Sequence, residues 1–422
     1  MKTSKLIKKI SGPASKAWWV GDKAFEMMDA GIDVIHLGIG DPDFDTPKQI
    51  SSSLKQAIDD NKTHYSPLAG ENDLRQEIAS HAMSLYGGSI KKENIAVLPG
   101  AQAALFSAFL CLAEYGDEVI TLEPTYATYP AVIKASGAKI ITVKLDEKKG
   151  YQLNVSDIKK AITSKTKAIL INSPSNPSGA VFKQDTLNTL ADLCKREGIW
   201  LVTDEVYWSL TYEEDHASAF SQNETRENVI VINSLSKSHA MTGWRVGWVI
   251  APEEIIDALT SLSQAQYFGV SQFVQLAAIE ALRDKKNPQI FKRLFLSRRD
   301  AFVEEIEKSE LLRFSIPQGG MFLLINIEIV MIITTREGAK ELSNGLKSKL
   351  KAIAPPIREI NSNDKAMATP KNIFLPRVAS RLEPKIKSIA NKIIAISDKG
   401  LTSLLYNSTS KTPALSLLSV KN

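Results

Sequence analysis

Apolar residues in the middle of this chain fall into short, nearly continuous runs separated by stretches of helical periodicity. The runs are IAVL (95–98), EVITL (118–122), KIITV (139–143), AILIN (168–172), WLVTD (200–204), VIVIN (229–233) and VGWVI (246–250). Strands covered on both faces read this way, without alternation. Most gaps between them are long enough for a helical crossover, which predicts an α/β fold: a seven-stranded, mostly parallel sheet with helices on both faces. The last gap differs, because the twelve residues between VIVIN and VGWVI read as a loop. The seventh strand is therefore predicted antiparallel and the sheet mixed.

Upstream, IHLGIGDPDFDTP (35–47) reads as a short strand running into a turn-rich loop. A helix is predicted from Lys48 to about Asn61 and another near Glu71, Asn72 and Asp73, where acidic and capping residues favour a helix start. Residues 252–310 are largely helical in pattern and lead towards a smaller α+β lobe. The expected division is an N-terminal arm with part of the small domain (1–47), a large domain (48–290), a small C-terminal domain (291–400) and a divergent tail (401–422).

Composition narrows the class. With 44% hydrophobic and 23% charged residues and no long uninterrupted apolar run, a soluble, cytoplasmic protein away from the membrane is expected. The basic N-terminus lacks the apolar core of an export signal. Cys111 and Cys194 lie in helical apolar patterns and read as core thiols, and the five histidines show no metal-ligand spacing. The formal charge of +5 conceals an asymmetry: residues 336–422 carry 16 Lys and Arg against 6 Asp and Glu, so the rest is net acidic at −5. That balance argues against nucleic acid as a partner. The same stretch holds none of the six tryptophans.

Five stretches that carry chemistry each follow a predicted strand, where open α/β sheets place their ligands. In LPGAQAALFSAF, Gly100 precedes a helix whose first N–H groups, at Ala101 and Gln102, suit a phosphate; a purely structural turn is the competing reading. In EPTYATYP, Tyr126 offers a ring to a flat ligand or to the core. In NSPSNPSG, Asn176 sits in an Asn-Pro turn that aims its amide into a cleft or merely turns the chain. In WLVTDEVY, Asp204 ends an apolar strand, where a carboxylate needs a partner, and Tyr207 follows three residues later. In VIVINSLSKSHAMTGWRVGWVI, Lys237 is a candidate reactive amine, provided its surroundings favour the neutral form. Ser234 and Arg245 add a hydroxyl and a guanidinium suited to a phosphate. Taken alone, Lys237 reads equally as a surface lysine.

Together, GDPDFDTP, HYSPLAG, NSPSNPSG, TDEVY, SLSKSHAMTGWRVGW and PQGGMFLLINI, in that order over about residues 10–327, resemble the class I/II aminotransferases of pyridoxal-phosphate fold type I. Within that family the AWW arm and the NSPSNPSG and SLSKSHAMTGWRVGW forms look most like the arginine–pyruvate transaminases. The resemblance implies pyridoxal 5'-phosphate as cofactor, with Lys237 as its Schiff-base lysine and the mover of a proton at the substrate Cα. It also implies that Asp204 pairs with the pyridine nitrogen, that Tyr207 and Asn176 meet the phenolic oxygen, and that Tyr126 stacks on the ring. Gly100, Ala101, Gln102, Ser234, Ser236 and Arg245 would hold the phosphate. Tyr65 matches a tyrosine that reaches the neighbouring subunit's phosphate, implying a homodimer with shared sites. Gly40, with Asn176, matches residues beside the substrate. An amino acid and a 2-oxo acid are the implied substrates. His239 matches no catalytic role and is expected to be structural.

The pattern departs from the family after Ile327. The arginine expected to pair with the substrate α-carboxylate is best matched by Arg377, in FLPRVASRLEPKIK, with Arg358 and Arg381 as lesser matches and a solvated surface arginine as the competing reading. Divergence or a shifted reading frame would account for the change. Two other readings keep the fold: a β-lyase using the same cofactor, and a cofactor-binding protein inactivated by a defective C-terminal lobe.

Overall fold

The structure, a computed structural model, describes residues 3–10, 18–34, 36–309 and 312–327. Among these, one compact unit holds 3–10, 18–19, 39–297 and 315–324, and a second holds 20–34, 36–38, 298–309, 312–314 and 325–327. The second contains a short antiparallel pair, β8 (Leu312–Phe314) and β9 (Ile325–Ile327).

The first unit is built on seven strands: β1 (Ile95–Leu98), β2 (Glu118–Glu123), β3 (Lys139–Lys144), β4 (Thr166–Asn172), β5 (Trp200–Asp204), β6 (Val229–Ser234) and β7 (Gly247–Ile250). Their order across the sheet is β1-β7-β6-β5-β4-β2-β3. As expected from the short last gap, β7 is antiparallel to both neighbours, and the pairs from β6 through β3 are parallel.

The unalternating runs have a simple cause. Successive side chains point to opposite faces, and both faces are packed. Val229 and Val231 of β6 join one buried cluster with Ile169, Ile171, Leu201 and Trp248. Ile230 and Ile232 join another with Leu170, Val202 and Val249. The helices Asn72–Tyr86 and Gln184–Glu197 cover the first face through Leu74, Ile78, Leu187 and Leu190. Helices Ala101–Leu112 and Glu253–Gln266 cover the second through Leu105, Phe109, Ile256 and Leu259. All four apolar side chains of β6 are fully buried, each stabilising the fold by roughly 1.5–3 kcal/mol. The element that delivers the lysine loop is thus among the best anchored. Cys194 lies in the first cluster and Cys111, half-buried, packs against the second.

One expected element does not form. Residues 36–47 contain no strand, and Leu37 and Ile39 are about half exposed. From Gly40 to Thr46 the chain is instead a strap held by side-chain hydrogen bonds rather than a sheet ladder. Lys237 Nζ donates to the Gly40 carbonyl at 2.6 Å, and Thr242 Oγ1 donates to Asp41 Oδ1 at 2.7 Å. Thr46 Oγ1 donates to the Ala240 carbonyl at 2.7 Å and accepts from Trp244 Nε1 at 3.1 Å.

Candidate active site

The antiparallel β7 decides what meets at the sheet edge. Its first residue, Gly247, pairs with Leu98 on one side and Ser234 on the other, so the chain entering β7 lies beside the chain leaving β1 and β6. Arg245, two residues before β7, therefore reaches the turn after β1. Its Nη2 donates to the Pro99 carbonyl at 3.3 Å and its Nη1 to the Thr242 carbonyl at 2.7 Å. A Cβ on Gly100 would fall on the Arg245 guanidinium. A Cβ on Gly247 would lie 2.7 Å from the Ala101 nitrogen. Glycine at these two positions lets the guanidinium and the start of helix Ala101–Leu112 approach each other.

That helix start has no side-chain cap, and the first N–H groups of a helix lack intrahelical partners. With Arg245 beside them they suit an anion. Gln102 is held by Thr128 Oγ1, which donates to its Oε1 at 2.9 Å. Ser234, at the end of β6, is buried and accepts from the Ser236 N–H at 3.3 Å.

Asp204, 4% exposed at the end of β5, accepts from the Tyr129 hydroxyl at 2.6 Å and from the Val206 N–H at 3.3 Å. Burial pushes its carboxyl up to about 6, opposed by those two hydrogen bonds. The site thus holds a carboxylate that would be stabilised by a buried cation. Around it, burial raises the phenols of Tyr126, Tyr129 and Tyr207, and the charge of Asp204 adds to this. The Asn176 side chain, near the Tyr207 hydroxyl, works in the opposite direction. The turn carrying Asn176 is tied to β5: its N–H donates to Asn172 Oδ1 at 2.7 Å, and Asn172 Nδ2 donates to the Asp204 carbonyl at 2.8 Å.

Lys237 completes the group. Burial lowers its ammonium below the usual lysine range; Asp41 opposes this, Arg245 adds to it and Asp204 opposes it. A lysine so placed is more readily neutral and hence nucleophilic.

Lys237, Asp204, Tyr207, Asn176, Tyr126, Gly100, Ala101, Gln102, Ser234, Ser236, Arg245 and Gly40 thus lie at or beyond the C-terminal ends of the strands and on the strap. Tyr65 lies elsewhere, on the surface: it is 82% exposed and meets Phe268 edge-on at 4.9 Å. His239 is buried, paired with Ser238 at 2.8 Å and with the Asp284 carbonyl at 3.2 Å, and burial depresses it to about 4. Arg377, Arg358 and Arg381 lie outside the described residues.

Sequence reasoning missed Tyr129 and Phe322. Tyr129 is the second tyrosine of EPTYATYP and stands three residues after Tyr126, a spacing that signals a shared helical neighbourhood. Phe322 sits in the apolar run MFLLI, whose composition resembles core. Its ring meets Tyr207 edge-on at 5.7 Å and occupies the space a Cβ on Gly40 would need.

The family model for aminotransferase class I and II matches residues 32–364. The chain is 37% identical over 329 residues to the arginine–pyruvate transaminase AruH of Pseudomonas aeruginosa, covering 78% of this chain and 84% of that one. It is 34% identical over 336 residues to the aspartate aminotransferase of Pyrococcus horikoshii, covering 79% and 84%. The solved aspartate aminotransferase from Thermus thermophilus with maleate superposes with a TM-score of 0.74 at 31% identity, covering 82% of this chain and 90% of that one. The chain belongs to the class I and II aminotransferases, and its activity is that of a transaminase. The family pattern, read above as ending at Ile327, is matched as far as residue 364.

Proposed function

We propose that the protein is a pyridoxal-phosphate-dependent aminotransferase, passing an amino group from an amino acid to a 2-oxo acid in two half-reactions, with Lys237 as its Schiff-base lysine. The observation that carries this is the meeting, at the C-terminal ends of the strands, of a half-buried lysine lowered below the usual lysine range, a buried carboxylate suited to a cation, and an uncapped helix start beside Arg245. These donors fit the cofactor. The cradle at Gly100, Ala101 and Gln102, with Ser234, Ser236 and Arg245, suits its phosphate, and Asp204 suits a protonated pyridine nitrogen. Tyr207 and Asn176 would meet a phenolic oxygen, and Tyr126, whose ring lies edge-on to that of Tyr129, would face the cofactor ring. When bound, the cofactor supplies a carbonyl for the amino group and an electron sink for the Cα carbanion.

The chain's own residues do the rest. Asp204 holds a proton on its partner nitrogen, and Tyr129 fixes the carboxylate that does so. Lys237 would move a proton at the substrate Cα, a role worth about 10²- to 10⁴-fold in rate. Gly40 keeps the strap low beside the amine. Arg377 is assigned to the substrate α-carboxylate from sequence alone. Tyr65, exposed and aromatic, is assigned to the partner's phosphate cradle in a homodimer.

The test is direct. The full-length protein, incubated with pyridoxal phosphate, should show a visible absorption band that a panel of amino acids perturbs and 2-oxo acids restore, with arginine, aspartate, pyruvate and 2-oxoglutarate included. Lys237→Ala should lose the band and the transfer. A band that survives that substitution would overturn the assignment, and pyruvate release without an acceptor would favour the β-lyase.

A further inference from the structure

Asp204 and Glu205 are consecutive buried carboxylates at the end of β5, 4% and 2% exposed. Successive residues of an extended chain face opposite sides of the sheet. Asp204 turns to the side of Tyr129, in the second apolar cluster. Glu205 turns to the side of Tyr86 and Phe220, in the first. The functional reading uses the first carboxylate and leaves the second unexplained.

Glu205 is fully engaged. Ser218 Oγ donates to its Oε1 at 2.6 Å, the Tyr86 hydroxyl donates to its Oε2 at 2.9 Å, and His216 Nε2 lies 2.7 Å from the same oxygen. Its own N–H donates to the Ile232 carbonyl at 2.9 Å. These partners come from the helix Asn72–Tyr86, from β6 and from the chain that follows Tyr207, so one side chain ties that segment to the core. Burying a second carboxylate one residue from Asp204 costs stability and gains nothing for packing that an apolar residue would not provide.

We propose that Glu205 is a positioning residue for Asp204: from the opposite face of the sheet it fixes the peptide that carries Asp204, and its charge makes Asp204 a stronger acceptor for a cation. The groups facing Glu205 are Tyr86, His216 and Ser218. Those acting on Asp204 are Tyr129, the Val206 N–H, Glu205 and Lys237, and Tyr126 and Tyr207 lie within its field. Among them Glu205 raises the Asp204 carboxyl, while Tyr129 and Lys237 lower it.

The inference rests on the cofactor reading above, and the two fail separately. Equilibrium binding of pyridoxal phosphate to the full-length protein is measured against pH. Affinity should fall on the acid side as Asp204 takes up a proton, and Asp204→Asn should flatten that limb. No binding, or no such limb, would sink the cofactor reading. Glu205→Gln removes a neighbouring negative charge and should move the limb to lower pH by about half a unit. The ligand's own ionisations are common to both proteins and cancel in the difference. A structural role alone would lower the thermal midpoint and leave the limb where it is, and that result would overturn the proposal. Should Glu205→Gln fail to fold, Glu205→Met combined with Tyr86→Phe and Ser218→Ala removes the charge together with the donors that face it. The limb should move in the same direction, and an unmoved limb there is equally fatal.

Discussion

The hydroxyl of Tyr129 donates to Asp204 Oδ2 at 2.6 Å, and both residues are almost wholly shielded from solvent. A hydrogen bond to a buried charge contributes about 1.5–3 kcal/mol. In Tyr129→Phe the charged form of Asp204 loses that support, so its carboxyl should titrate above its present value of about 6. Pyridoxal-phosphate binding should weaken by about tenfold or more at neutral pH. The acid limb of that binding should move to higher pH, opposite in sign to the shift expected for Glu205→Gln. An unchanged limb would show that the hydroxyl does not act on the carboxylate.

The same carboxylate sets a pH dependence for the ligand-free protein. Its folded value of about 6 lies above the ordinary 3.8, so the folded state binds a proton more tightly than the unfolded one. Ionised Asp204 therefore opposes folding at neutral pH, and the penalty disappears as pH falls through about 6 towards 4. Asp204→Asn should accordingly be more stable than wild type at pH 7, by about 3 kcal/mol at most, and the difference should shrink to nothing as pH falls below the ordinary value of 3.8. Denaturant unfolding of both ligand-free proteins across that range is the check.

Much of this arrangement is legible in the sequence, for identifiable reasons. Strands such as VIVIN declare themselves because both faces are buried, and the orientation of β7 follows from a gap too short for a helix. The convergence of Gly100, Ser234 and Arg245 then follows from topology. The strap is not legible in this way. Ile39 and its neighbours have strand-like composition, but the backbone near them is held by Lys237, Thr242 and Thr46 through contacts spanning about two hundred residues. The partnerships of Tyr129, Glu205 and Phe322 are likewise long-range, and local pattern carries no trace of a partner 75 or 119 residues away.

Arg245 offers a planar guanidinium already aligned by the Pro99 and Thr242 carbonyls. Lysine keeps the charge but not the fork. Arg245→Lys should weaken pyridoxal-phosphate binding by about 10- to 100-fold, the equivalent of one charge-assisted hydrogen bond. Turnover at saturating cofactor should fall much less. Equal losses in turnover and affinity would place Arg245 in the chemistry rather than in the cradle.

Gly40 lies under the Phe322 ring and accepts from Lys237 Nζ. A methyl group at residue 40 would fall inside the space of that ring, so Gly40→Ala must displace either the strap or Phe322. Phe322 also meets Tyr207 edge-on, and its displacement would disturb that side of the site. Misplacement of about 1 Å costs on the order of 100-fold in rate, and Gly40→Ala should lose activity on that scale while retaining its fold. The cause is steric, so relief should be steric too: Gly40→Ala combined with Phe322→Leu should recover a substantial part of the loss, although Phe322→Leu alone should be mildly impaired. If the double variant is no better than Gly40→Ala, the glycine is required for its backbone rather than for the space it leaves to Phe322.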